Sequence, residues 1–203
     1  MAQEQLAVGA ATAVLTGQTA NGDAWFVRQV GDVCRVALID GVGHGELAAL
    51  AASCAREVLE ETSTLSAQEV LHVCHQRLRS TRGAVAAIAT IDVASSKLTF
   101  AGVGNIEARL WQNGREQRLI SYRGLLGTAI PTLRAFECTL SSPWLLVLHT
   151  DGVSGRASLD PDDLAVARDS GVEALAQRLL ERWGRSHDDA TVVVVGAVSI
   201  PPW

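Results

Sequence analysis

The sequence predicts an α+β fold: two packed, mostly antiparallel sheets covered on the outside by helices. Three observations carry this. Strand-like runs fill most of the 203 residues. They follow one another without the regular strand-helix alternation of a parallel sheet. The helical runs fall in two groups, one after the early strands and one near the C-terminus.

In order, residues 5 to 16, 24 to 30 and 33 to 39 are apolar or β-branched runs separated by Gly22-Asp23 and Gly31-Asp32, a hairpin-like pattern. The third run ends in Asp40-Gly41-Val42-Gly43-His44-Gly45. Leu47, Leu50, Ala51, Cys54 and Val58 then recur at helical spacing. A second helix opens at Ser66, where Glu69 completes a capping box, and Val70, Cys74 and Leu78 form its inner stripe. Strands are expected over 84 to 92, 98 to 103, 108 to 112, 116 to 121, 133 to 140 and 144 to 150, with Asn113-Gly114 a turn between two of them. Val172, Leu175, Leu179 and Trp183 mark a late helix, and 191 to 198 reads as a final buried strand. No repeat or linker interrupts the chain, so residues 1 to 203 are expected to form one domain.

With 48% apolar and 19% charged residues the chain is globular, and a net charge of -5 excludes the basic footprint that nucleic acid or an anionic membrane requires. No apolar run approaches the roughly 20 residues of a membrane span. The N-terminus lacks a basic segment ahead of an apolar one, so a cytoplasmic protein is expected. Cys34, Cys54, Cys74 and Cys138 are scattered without a CxxC pair and read as reduced thiols rather than a disulfide frame or zinc site, His72 and His75 beside Cys74 notwithstanding.

Four aspartates stand where strands meet turns: Asp23, Asp40, Asp151 and Asp188. Carboxylates at the ends of buried strands ionise against low-dielectric packing, and several converging would repel one another. Hard divalent cations such as Mg²⁺ or Mn²⁺ resolve that conflict, since they favour carboxylate, carbonyl and water oxygens. A pair of such ions can activate a water and clamp a phosphoryl group. The glycine of Asp40-Gly41 suggests close approach of a backbone carbonyl. Gly102 and Gly104 read as close strand packing or a bulge, because a lone Gly-x-Gly is a weak nucleotide signal. His149 reads as a packed histidine and His187 as solvent-facing.

Gly22-Asp23, Asp40-Gly41-Val42-Gly43-His44-Gly45, Thr150-Asp151-Gly152-Val153 and Asp188-Asp189-Ala190-Thr191 resemble the metal motifs of the PPM (PP2C-like) protein phosphatases. Within that family the chain most resembles the bacterial SpoIIE-type branch, its stressosome phosphatases in particular. Arg82-Gly83-Ala84, Gly102-Val103-Gly104-Asn105 and His149-Thr150-Asp151-Gly152 carry that likeness. The resemblance implies a four-layer αββα sandwich and two divalent cations, Mn²⁺ or Mg²⁺, between the sheets. Asp40 would bridge both ions, Asp23 and the Gly41 carbonyl would complete one shell, and Asp151 and Asp188 would hold the other. It also implies a serine/threonine phosphatase acting through a metal-activated water on a phosphorylated partner, a STAS-domain stressosome component. Asp189 would stand behind the ligands. The chain departs from eukaryotic Asp-Gly-His-Gly by inserting Val42-Gly43, which leaves His44 a candidate general acid. No arginine for gripping phosphate is recognisable near the N-terminus, and Arg28 reads as a strand surface residue. The competing function is a catalytically silent regulator that keeps the fold and binds a signalling partner without turnover. Retention of all four acidic motifs argues against it.

Overall fold

Residues 6–197, which the computed structural model describes, form ten strands and four α-helices. In chain order these are β1 (Leu6–Ala13), β2 (Asp23–Val30), β3 (Val33–Gly41), α1 (Glu46–Glu61), α2 (Ala67–Arg77), β4 (Ala84–Asp92), β5 (Lys97–Val103), β6 (Glu107–Gln112), β7 (Arg115–Leu119), β8 (Phe136–Thr139), β9 (Trp144–His149), α3 (Pro161–Ser170), α4 (Val172–Trp183) and β10 (Ala190–Ala197). The expected strand limits at Gln5 and Val198 lie outside the described residues.

One sheet has the order β1-β10-β9-β6-β7 and the other β2-β3-β4-β5-β8, every neighbouring pair antiparallel. The expected two-sheet α+β sandwich is therefore what forms. Three apolar layers hold it together. Cys34, Val36 and Leu38 of β3 face Leu146, Leu148, Val193 and Val195 across the gap between the sheets. Ala37 and Ile39, the alternate residues of β3, pack under α1 and α2. Val192 and Val194 of β10 pack beneath α3 and α4 with Leu175 and Leu179. Strands buried on both faces lose the apolar-polar alternation, which is why β3 and β10 read as continuous apolar runs.

Three sequence expectations need correcting. Gly22-Asp23 is no hairpin, because β1 pairs with β10 in one sheet while β2 pairs with β3 in the other. The segment between β1 and β2 crosses from sheet to sheet. Leu47 and Leu50 do not face the core of α1 but are about half exposed, at 52% and 53%. The buried stripe is Ala48, Ala51, Ala52, Ala55, Val58 and Leu59, a mostly small-residue face that lets the helix lie close on the sheet. The strand expected over 133 to 140 shrinks to Phe136–Thr139.

Other expectations hold. The Ser66 hydroxyl accepts from the Glu69 amide and the Glu69 carboxylate accepts from the Ser66 amide, the capping box of α2. Asn113 and Gly114 both take positive φ, 54° and 70°, as a tight two-residue turn requires. All four cysteines are free thiols. His72 hydrogen-bonds the Gln68 carbonyl and His75 accepts from the Gly127 amide, so both histidines are bound into the scaffold. Arg28 donates to the Glu60 carbonyl and lies over the Phe26 ring.

Candidate metal centre

The acidic motifs meet at one end of the sandwich because of strand direction. Asp23, first residue of β2, is paired with Asp40 near the end of β3. Asp151 follows the end of β9, and Asp188 precedes the start of β10. The two sheet ends are bolted together by Thr150, whose hydroxyl donates to Asp23 Oδ2 (2.8 Å) and accepts from the Thr191 amide (3.0 Å).

A cleft of about 350 Å³ opens here, lined by Asp40, Val42, Gly43, His44, Val85, Asn105, Asp151, His187 and Asp188. Three of the four predicted acidic ligands thus share one cavity, and His44 stands on its wall. Asp23 does not open onto the same cleft. It borders the neighbouring groove with Thr12 and Asn21, its carboxylate held by Thr150.

The electrostatics record the crowding. Burial pushes the Asp40 carboxyl up to about 8, with Asp23, Asp151, Asp188 and Asp189 adding repulsion. Burial likewise raises Asp23 to about 7, against the opposing hydrogen bonds from Thr150 and Thr191. Among the described residues no Lys or Arg forms an ion pair with any of these aspartates. Arg185 comes near but donates to the Asp151 backbone carbonyl, at 3.2 Å.

The donor set fits hard divalent cations. It offers carboxylate oxygens and solvent access, with no thiol among the cleft residues. Among the described residues no three His, Cys, Asp or Glu side chains are close enough together to hold a metal ion by themselves.

The motif glycines serve backbone packing. A side chain on Gly41 would run into the backbone of Ala48 on α1, and one on Gly152 into the Asp189 carbonyl. The glycine of Asp40-Gly41 therefore admits a helix, which is a reason the sequence did not disclose. Asp189 is buried at 3% exposure and clasps the crossover between sheets: Oδ1 accepts from the Leu15 amide (2.8 Å) and Oδ2 from the Gly22 amide (2.7 Å). Gly102 and Gly104 are packed against Ser121 and Val85, as expected of close strand packing. His149 is buried, donates through Nδ1 to the Thr150 carbonyl (3.0 Å), and burial lowers its pKa. His187 is exposed as expected, yet lines the cleft.

Sequence reasoning missed Asn105. Its Nδ2 donates to Asp151 Oδ2 at 2.8 Å and orients that carboxylate. The available signal was its place in Gly102-Val103-Gly104-Asn105, where Gly104 takes φ 102° and turns the chain into the cleft.

Comparison with known proteins agrees with this geometry. The curated phosphoserine phosphatase RsbX of Bacillus subtilis (strain 168) is 24% identical over 139 residues, covering 68% of this chain and 70% of that protein. A chain solved in work on the bacterial stressosome, as a modular system adapted to control secondary messenger signaling, is 33% identical and superposes with a TM-score of 0.88 over 95% of this chain and 100% of that one. A crystal structure of RsbX in complex with magnesium superposes with a TM-score of 0.82 at 22% identity, covering 97% and 98% of the two chains. The family model of stage II sporulation protein E (SpoIIE) matches residues 31–197. A fold of two antiparallel sheets between helix pairs, with acidic motifs gathered at one end, thus coincides with a match over most of the sequence, and the chain belongs to the SpoIIE family of PP2C-like domains.

Proposed function

We propose that this chain is a divalent-metal-dependent protein phosphatase that hydrolyses phosphoserine and phosphothreonine on a signalling partner, its two sheets and four helices acting as one catalytic domain. One observation carries the reading: Asp40, Asp151 and Asp188 share a solvent-open cleft in which, among the described residues, no Lys or Arg forms an ion pair with them. The similarity to RsbX, a phosphoserine phosphatase, and to a magnesium complex of RsbX supports the same chemistry.

Asp40, Asp151 and Asp188, with Asp23 and the Gly41 carbonyl, would hold the divalent cations. When bound, such ions supply the positive charge that activates a water for in-line attack and offsets charge on the phosphoryl oxygens. The chain's own contribution is positional. Thr150 and Asn105 fix the carboxylates of Asp23 and Asp151 before any ligand arrives. The Asp189 clasp holds the crossover that delivers Asp23. His44, exposed on the cleft wall, would give a proton to the departing seryl or threonyl oxygen.

The partner we propose is a phosphorylated STAS-domain component of a stressosome in the cytoplasm, supported by the likeness to a chain solved in stressosome work. Among the described residues no helix is long and apolar enough to cross a membrane. The test is release of inorganic phosphate from the phosphorylated partner with Mn²⁺, its loss on chelation with EDTA and its return on adding Mn²⁺. Tight partner binding with no phosphate release at millimolar Mn²⁺ would transfer the reading to a catalytically silent regulator.

A further inference from the structure

We propose that Arg82 binds the phosphoryl group of the substrate at the cleft mouth, an inference that rests on the phosphatase reading above. The sequence offers no phosphate-gripping arginine near its N-terminus, yet the fold brings one in from the start of β4. Gly41 is paired with Ala84 and Asp40 with Val85, and the Val42 amide donates to the Gly83 carbonyl at 3.0 Å. Arg82 therefore stands beside the Asp40-to-Gly45 loop. Gly43 lines the cleft, and a Cβ built on it would lie 3.0 Å from Arg82 Nη1. One guanidinium nitrogen thus comes close to Gly43, whose φ of 88° favours glycine.

Two further facts separate Arg82 from an ordinary surface arginine. Its backbone is pinned: the Thr81 hydroxyl donates to the Leu78 carbonyl (2.8 Å) and accepts from the Gly83 amide (3.0 Å), while Gly83, at φ 82°, packs against Leu126. Among the described residues no carboxylate forms an ion pair with it, even though the cleft beside it is acidic. Arg185, by contrast, already spends a guanidinium N–H on the Asp151 carbonyl.

The chemistry asks for such a group. A phosphate monoester is a dianion, and cations held by Asp40, Asp151 and Asp188 would offset only part of its charge. Oxygens facing the mouth need donors, and the planar guanidinium fork matches two phosphoryl oxygens at once, which an ammonium does not. Arg82 would thus set how the monoester enters and raise affinity more than turnover.

The experiment compares wild type, Arg82→Ala and Arg82→Lys, all saturated with Mn²⁺. Inorganic phosphate is titrated calorimetrically into each protein, and KM and kcat are measured separately on a phosphoserine peptide. The expected result is about tenfold weaker phosphate binding and about tenfold higher KM for Arg82→Ala, with partial recovery in Arg82→Lys. The Mn²⁺ half-saturation point and melting temperature should stay unchanged in both variants. Unchanged phosphate affinity in Arg82→Ala, or absence of phosphate binding by the wild type, overturns the proposal. A wild type that binds phosphate through Arg82 but never cleaves the peptide leaves Arg82 as an anion-binding residue and overturns the phosphatase reading instead.

Discussion

At the junction of α3 and α4, Asp163 is fully buried, and its carboxylate oxygens accept from Arg178 Nε (2.7 Å), the Asp160 amide (3.0 Å) and Arg182 Nη1 (3.3 Å). Asp160 caps α3 by accepting from the Asp163 amide and is held below the usual carboxylate range by that bond and by Arg182. At the cleft end of the same sandwich, Asp40 and Asp23 are also largely withdrawn from water, yet among the described residues no arginine pairs with them and both are raised, to about 8 and about 7. The fold therefore does supply guanidinium partners where acidic groups are wanted for stability. Among the described residues no such partner pairs with the cleft carboxylates, and on the proposed reading an external cation would take that place, so the contrast is between an acidic cluster built for stability and one proposed to bind metal.

The sharpest way to break the comparison is to remove one carboxylate from each cluster. Asp40→Asn should lower phosphate release at saturating Mn²⁺ by about 10²–10³-fold or more, the scale of losing a principal electrostatic contributor. The same change should leave the metal-free protein at least as stable as wild type, because it replaces a carboxyl whose ionisation burial and the neighbouring carboxylates disfavour with a neutral amide of the same shape. Asp163→Ala should do the reverse. Losing a helix-cap partner and the acceptor for two arginines is expected to cost about 2–3 kcal/mol, discounted for the partial exposure of those arginines. That corresponds to roughly 5–10 °C in melting temperature for a chain of this size, with Mn²⁺ dependence intact. If Asp40→Asn destabilises the metal-free fold as much as Asp163→Ala does, the cleft carboxylates are ordinary structural groups.

How far each region was legible follows from the same physics. The cleft aspartates announced themselves because each stands at a strand end beside glycine or a second aspartate, and that punctuation survives in one dimension. The sheet order did not, because pairing β1 with β10 is decided by burial over nearly the whole chain length, and Gly22-Asp23 looks locally like any hairpin turn. The inward face of α1 was misread because leucine advertises burial more loudly than alanine. Only the close approach of Ala48 to Gly41 shows why the small residues face in. Helix α3 was not singled out, although Asp160-Pro161-Asp162-Asp163 carries a capping signal. Its few buried residues, Asp163, Leu164 and Ala167, make too weak an apolar stripe. Asn105 escaped for a different reason: an amide that orients a carboxylate has no pattern in sequence until the loop and the strand end are seen together.

A smaller effect sharpens the charge argument through pH. In metal-free protein Asp40 keeps its proton up to about 8, whereas its ordinary value is 3.8. The folded state then binds more protons than the unfolded chain between those limits, so stability is full at the acid end and falls as pH rises through the folded value. The melting temperature of EDTA-treated wild type should therefore decline between about pH 5 and about pH 8.5. Asp40→Asn should flatten that slope, and so should saturating Mn²⁺. An unchanged slope in Asp40→Asn would mean that other groups set the pH response.

The smallest expected change concerns Asn105, which gives the cleft a single neutral N–H where the α3–α4 cluster has guanidinium. Its bond engages one oxygen of Asp151 and orients the carboxylate without cancelling its charge, so the cation requirement survives while the geometry is fixed. Asn105→Ala should raise the half-saturating Mn²⁺ concentration about tenfold, with kcat at saturation nearly preserved. Asn105→Asp, which replaces the donor with a further negative charge, should weaken turnover at low Mn²⁺ more severely and lose the orientation as well. A fall in kcat at saturating Mn²⁺ without any shift in half-saturation would instead place the Asn105 amide against the reacting phosphoryl group. Asp151 would then be positioned by the β9 strand end alone.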